Sequence, residues 1–201
     1  HMNIGILGSG VVGLTLANGF IKKGHRVMIG TNTPGKIESL REKTSNNASV
    51  GSFGETAHWA DIIVLATKGS ASVSALHLCA TSDLQGKTII DTTNPIADAA
   101  PEDGVLKFYT SMNHSQMEVL QEKFSSSHFV KAFNSVGAAL MVDPVLEGGK
   151  PTMFICGDNM ESKQTVEDLL INFGWEVEDC GTVKAARAIE SLCMLWCIRG
   201  F

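Results

Sequence analysis

Short apolar runs recur along the chain, each followed by a longer stretch in which apolar residues return every three or four positions. The first run is a strand, Ile4 to Leu7, and the next a helix from about Val11 to Lys23, closed by Gly24 and His25. Arg26 to Gly30 reads as a second strand. Thr33 caps a helix that has Pro34 in its first turn and runs to about Lys43. A polar Thr44-Ser45-Asn46-Asn47 loop leads to a weak strand near Ala48 to Ser52 and a short helix around Glu55 to Trp59. Ile62 to Thr67 is a continuous apolar run, the pattern of a strand covered on both faces.

Beyond it the alternation continues. A helix over about Ser72 to Ala80 precedes a strand over Lys87 to Asp91, and the chain from Ile96 to Thr110 reads as loop. A helix from Met112 to Lys123 and a strand from Phe129 to Asn134 follow, then a loop around Val142 to Lys150. The end of the chain predicts a strand over Thr152 to Gly157, a helix over Glu161 to Phe173, a short strand over Glu176 to Asp179 and a last helix over Thr182 to about Ile198. Strands alternating with helices predict a doubly wound, mainly parallel α/β sheet with helices on both faces. We expect one Rossmann-type domain over residues 1–201, with 151–201 as a small extension packed on it and a C-terminal helix at its end.

Composition narrows the function. A net charge of −5, with no basic cluster, argues against nucleic acid as a partner. No apolar run approaches the roughly 20 residues that span a bilayer, so a cytoplasmic protein without a membrane span is expected. His1 before Met2 reads as a cloning remnant. The 5 cysteines lack paired CxxC spacing, which argues against a zinc site or a disulfide framework. Cys193 and Cys197, four apart on the last helix, read as small core residues.

The chemistry starts where the first strand meets the first helix, at Gly8-Ser9-Gly10-Val11-Val12-Gly13. In this arrangement the first glycine allows the tight turn, the second a close approach of backbone to pyrophosphate, and the third the packing of helix on strand. The following helix aims unpaired N–H groups at the phosphates. The second strand ends in Gly30-Thr31-Asn32-Thr33, followed by Pro34-Gly35-Lys36. An NAD-selective protein places a carboxylate there for the ribose 2′-hydroxyl. This turn has none, and it offers hydroxyls, an amide and a lysine instead. NADP is therefore favoured over NAD, with Thr31, Asn32, Thr33 and Lys36 as candidates for the 2′-phosphate, although the two threonines also suit simple capping of the turn.

With these residues in place, the chain resembles the NADPH-dependent coenzyme F420 reductases and the related cytosolic reductase domain of six-transmembrane metalloreductases. The resemblance is carried by Gly8 to Gly13, Ile29 to Pro34, Asn94-Pro95, Val130-Lys131-Ala132-Phe133-Asn134, Cys156-Gly157-Asp158, and Ala186-Arg187-Ala188-Ile189-Glu190. In that family an arginine at the end of the second strand binds the 2′-phosphate and covers the adenine. Here Asn32 stands in its place. The resemblance implies that Ala66, Thr67 and Lys68 pass beside the cofactor and that Asn94 and Pro95 border its nicotinamide end. It also implies that Asn134 to Ala138 border the cleft approached by a flavin or F420.

Hydride transfer between two stacked rings needs geometry more than acid or base groups. No acid/base constellation is legible, and no catalytic residue is assigned. His114 is the one histidine placed to reach the cleft, and Lys131 faces either the cleft or a sheet edge. Arg187 and Glu190, three apart, read first as an ordinary helix ion pair. The stripe Val183, Ala186, Ile189, Leu192, Trp196 makes the last helix a docking face for the Rossmann unit or for a second copy in a homodimer. Three readings result: an NADP-dependent oxidoreductase passing hydride to a flavin or F420-like small molecule, a relative of small hydroxy-acid or imino-acid dehydrogenases, and a non-catalytic NADP(H)-sensing module.

Overall fold

The computed structural model describes residues 1–44 and 48–200, so most of the expected 44–47 loop lies outside the described residues. Six strands form one parallel sheet: β1 (Asn3–Leu7), β2 (Arg26–Gly30), β3 (Ala48–Gly51), β4 (Ile62–Leu65), β5 (Thr88–Asp91) and β6 (His128–Lys131). Their spatial order is β3-β2-β1-β4-β5-β6. The chain leaves β1 toward one edge and returns at β4 toward the other, so a crevice opens at the carboxyl ends of β1 and β4.

Alternation along the central strands separates two cores. Ile4, Ile6, Ile62 and Val64 join Leu16 and Phe20 of α1 (Val11–Lys22) and Val166 and Leu170 of α7 (Met160–Asn172) on one face. Leu7, Ile63 and Leu65 join the opposite core, with α3 (Phe53–Trp59), α4 (Ser72–His77), α6 (Gln116–Lys123) and α8 (Ala186–Cys197). A residue that helps to define either core contributes roughly 1.5–3 kcal/mol by its burial. The remaining elements are α2 (Ile37–Lys43), the short α5 (Thr81–Leu84), and a separate parallel pair, β7 (Thr152–Ile155) with β8 (Glu176–Asp179). A single antiparallel bridge between Lys131 and Cys156 joins β6 to the chain leaving β7.

Several boundaries differ from expectation for physical reasons. The helix expected from Met112 begins at Gln116, because Ser115 and Glu118 form a reciprocal capping box that fixes its start. Residues 111–114 instead make a small bridged turn, with Met112 86% exposed. The helix expected over 72–80 stops at His77, and α5 follows as a separate turn. Strand β6 ends at Lys131 rather than Asn134, because Phe133 adopts a left-handed backbone (φ 65°) that no strand can continue through. The first turns expected to be α-helical at Pro34–Lys36 and Val183–Ala185 are 3-10 turns. Among the described residues, no helix is long and apolar enough to cross a membrane.

Candidate active site

The glycine turn is shaped by contacts that side chains would destroy. Gly8 has φ +126°, and a Cβ there would run into the carbonyl of Ala66 at the end of β4. A Cβ on Gly13 would strike the carbonyl of Gly8, so α1 lies directly on the turn that precedes it. Gly10 differs from both, since a Cβ there would meet nothing within 4 Å. It caps α1 without a side-chain hydrogen bond and with no acidic residue in the first turn. The leading N–H groups of α1 are thus left for an anion, favoured by the helix dipole.

Below this turn a cavity of about 410 Å³ runs along the carboxyl ends of β4 and β5. It is lined by Val12, by Ala66 to Ser70, by Thr92 to Asn94 and by Ile96 to Asp98. Five of the sequence candidates, Val12, Ala66, Thr67, Lys68 and Asn94, therefore share one wall system. Pro95 is buried beneath it, and its carbonyl accepts from the N–H of Tyr109 at 3.0 Å. Asn134 stands behind Asn94, and the two amides are interlocked. Asn94 Nδ2 donates to the Asn134 carbonyl at 2.8 Å, and Asn134 Nδ2 donates to Asn94 Oδ1 at 3.1 Å and to the Ile189 carbonyl at 2.9 Å. Asn134 Oδ1 is buried without a hydrogen-bond partner among the described residues.

The candidates at the end of β2 are built differently. The N–H of Gly8 donates to the Gly30 carbonyl at 3.1 Å, which seats the glycine turn beside that strand end. Thr31 is buried, and its hydroxyl accepts from the N–H of Thr33 at 3.1 Å, so it holds the turn. Asn32, Thr33 and Lys36 are exposed.

Beneath the β5 end lies a cluster of buried charge. Lys131 is fully buried, with Nζ 2.6 Å from Asp91 Oδ2, 2.9 Å from Glu190 Oε2 and 2.7 Å from the Thr93 carbonyl that accepts its proton. Asp91 and Lys131 are register partners on adjacent strands. Burial on its own favours a neutral amine, but the flanking Asp91 and Glu190 carboxylates outweigh it and raise the Lys131 pKa above the ordinary lysine range. Lys131 thus faces neither the cleft nor an edge, correcting both expectations. Asp91 Oδ1 in turn accepts from the N–H and the hydroxyl of Thr93, at 2.9 and 2.6 Å. Glu190 also accepts the first N–H groups of α6, from Gln116 at 2.8 Å and Met117 at 3.0 Å.

The Arg187–Glu190 ion pair expected on α8 does not form. Arg187 instead grips Glu118 through Nε and Nη2, at 3.1 and 2.7 Å. Burial would raise the Glu118 pKa, but Arg187 and the N–H and hydroxyl of Ser115 hold it down to about 2. His114 does not line the cavity between Val12 and Asn94. It pairs with Glu122 at 3.0 Å and lines a neighbouring pocket of about 530 Å³ that shares Gly69 and Ser70 with the cleft.

Two contributors escaped the reading of the sequence. Gln116 bridges α6 to the loop after β4, donating to the Gly69 carbonyl at 2.9 Å and the Ser72 hydroxyl at 2.6 Å. Tyr109 donates to Gln116 Oε1 at 2.8 Å, and burial first, then Glu190 and Asp91, push its phenol up to about 12, so it stays a donor. The buried triad did leave a trace. Asp91 and Lys131 each close a largely apolar strand, and charges placed there require partners.

Strand order, glycine turn and crevice together define a nucleotide-binding α/β protein of the Rossmann type. Residues 3–95 match the family model for coenzyme F420-dependent NADP oxidoreductases. A solved protein of Arthrobacter sp. FB24, described as a candidate F420-dependent NADP reductase, is 30% identical, with a TM-score of 0.90 over 98% of this chain and 92% of that one. The chain belongs to this family of NADP-dependent oxidoreductases. The metalloreductase STEAP3 of Rattus norvegicus is 30% identical over 195 residues, 94% of this chain. The chain spans only about a third of that protein's length, 36%. An imine reductase of Aspergillus terreus shares the fold, with a TM-score of 0.71 over 99% of this chain and 62% of that one, at 17% identity.

Proposed function

We propose that residues 1–201 act as one unit that binds NADP(H) across the crevice and passes hydride to a flavin or deazaflavin acceptor. The observation that carries this reading is that the exposed turn after β2, the open side of Gly10 after β1 and the cavity walled by Ala66, Thr67, Lys68 and Asn94 all lie at the carboxyl ends of the central strands. In this reading Ser9, Gly10, Val11, Val12 and Gly13 present N–H groups to the pyrophosphate. Thr31, Asn32, Thr33 and Lys36 meet the 2′-phosphate, where no carboxylate stands to repel it. Ala66 and Thr67 flank the nicotinamide, with Asn94, Pro95 and Asn134 beyond it.

The bound dinucleotide would supply the hydride, and the chain supplies alignment and shelter from water. The ionisable side chains lining the cavity are Lys68 and Asp98, both exposed at its mouth, which suits ring-to-ring transfer without a general acid. We place the protein in the cytoplasm and pair it with a second copy through α8, whose Leu195 and Trp196 are 66% and 45% exposed. Light scattering on the purified protein tests the pairing.

The function is tested by incubating the protein with NADPH and, separately, FMN, FAD, F420 and a ferric chelate, following the reduced-nicotinamide absorbance. Turnover with a flavin or F420 is expected. Tight NADPH binding with no consumption by any acceptor would replace this reading with that of a sensor.

A further inference from the structure

We infer that Glu190, on the last helix, is a positioning residue for the nicotinamide end of the cleft, acting through Lys131 and Asp91. This rests on the proposed NADP(H) reading. The floor of the cavity is Thr92-Thr93-Asn94, directly after β5, and nearly every polar group of its middle residue is committed downward. The Thr93 N–H and hydroxyl go to Asp91 and its carbonyl to Lys131. Lys131 is held in turn by Glu190. The residue preceding Glu190 supplies a second prop, since the Ile189 carbonyl takes the amide of Asn134, which is locked to Asn94. Two consecutive residues of α8 thus support adjacent parts of the floor, from a helix that does not line the cavity.

Charge accounting separates this role from plain packing. Two carboxylates face one ammonium, so the site carries a surplus negative charge, stabilised by the amide N–H groups of Gln116 and Met117 at the start of α6. Glu190→Gln removes that surplus and leaves a balanced Asp91–Lys131 pair with an oxygen still facing α6. The variant is therefore expected to fold, yet its neutral amide holds Lys131 less firmly, and the Thr93 carbonyl loses its fixed donor. Arg187, one turn earlier, ties α8 to Glu118 and touches none of the triad.

Binding of 2′,5′-ADP reads only the adenosine end, whereas the emission of bound NADPH reads the surroundings of the nicotinamide. Glu190→Gln should leave 2′,5′-ADP affinity within about twofold while shifting bound NADPH emission toward that of free NADPH and lowering kcat about tenfold to a hundredfold, the scale set by a misaligned reacting ring. Arg187→Gln should leave the emission unchanged. Circular dichroism of each variant confirms the fold. Unaltered emission and kcat in Glu190→Gln, or equal changes in both variants, would overturn the role of Glu190 alone. Failure of the unmodified protein to bind 2′,5′-ADP or NADPH would overturn the NADP(H) reading itself, and the inference with it.

Discussion

At the β2 end of the crevice the candidate side chains stand in solvent on a turn held by backbone and one threonine hydroxyl, whereas at the β5 end the cavity floor rests on three fully buried charges. The first end can vary in residue type without disturbing the core, and Asn32 in place of the family's arginine is such a variation. The second end cannot, because both buried carboxylates there depend on the one ammonium of Lys131. Under the proposed function, selectivity between dinucleotides and alignment of the reacting ring fall to parts of the molecule with opposite tolerance for change.

The hardest test of that contrast is Lys131→Met, which leaves Asp91 and Glu190 buried without a cation. Loss of a partner from a buried ionic group costs about 3–5 kcal/mol. Urea unfolding should show that loss or outright misfolding, and a midpoint equal to that of the unmodified protein would break the comparison. The glycine turn gives the next largest effect. Gly8→Ala must find a new backbone conformation and displace the Ala66 carbonyl, so it should both unfold more easily and fail to bind NADPH. Gly10→Ala meets open space and should keep its thermal midpoint while losing NADPH affinity by about tenfold or more, some 1.4 kcal/mol.

How much of this was legible in the sequence follows from the range of the interactions. Gly8 to Gly13 could be read because a tight turn, a close approach and a packed helix impose local requirements on consecutive residues. The central strands β1, β4 and β5 could be read because each is short, largely apolar and bounded by polar turns. The register of Asp91 on Lys131, and the approach of Glu190 from α8, depend on how distant elements dock, which no local pattern encodes. Arg187 and Glu190 show the cost of local reasoning. Their spacing suits a helix pair, but each found a better partner on another element. The end of β6 and the start of α6 were missed for related reasons, the left-handed Phe133 and the box between Ser115 and Glu118.

Smaller effects sharpen the contrast. Removing the cap with Ser115→Ala should cost about 1 kcal/mol, measured by chemical unfolding, because the Glu118 N–H loses the hydroxyl that accepts from it. Glu118 adds a dependence on acid. Its folded pKa is depressed to about 2 from an ordinary 4.5, so its contribution is complete above about 4.5 and is lost as pH falls through 2. Glu118→Gln should flatten the decline in thermal midpoint across that window. Smallest of all, Lys36→Ala should narrow the preference for NADP over NAD by about threefold to tenfold in titrations at low salt, as expected for one exposed cation. A preference unchanged at every salt concentration would assign the 2′-phosphate to the Thr31–Thr33 turn alone.

The attachment of α8 to the cavity floor also sets an order of assembly. The glycine turn and the strands on either side of it come from the first 65 residues and can pair as soon as those are available. The floor beside β5 waits for Ile189 and Glu190, which a ribosome delivers about a hundred residues after Asp91. A nascent chain therefore completes the glycine turn early and the floor beside β5 last, which under the proposed function puts the phosphate end of the crevice ahead of the ring end.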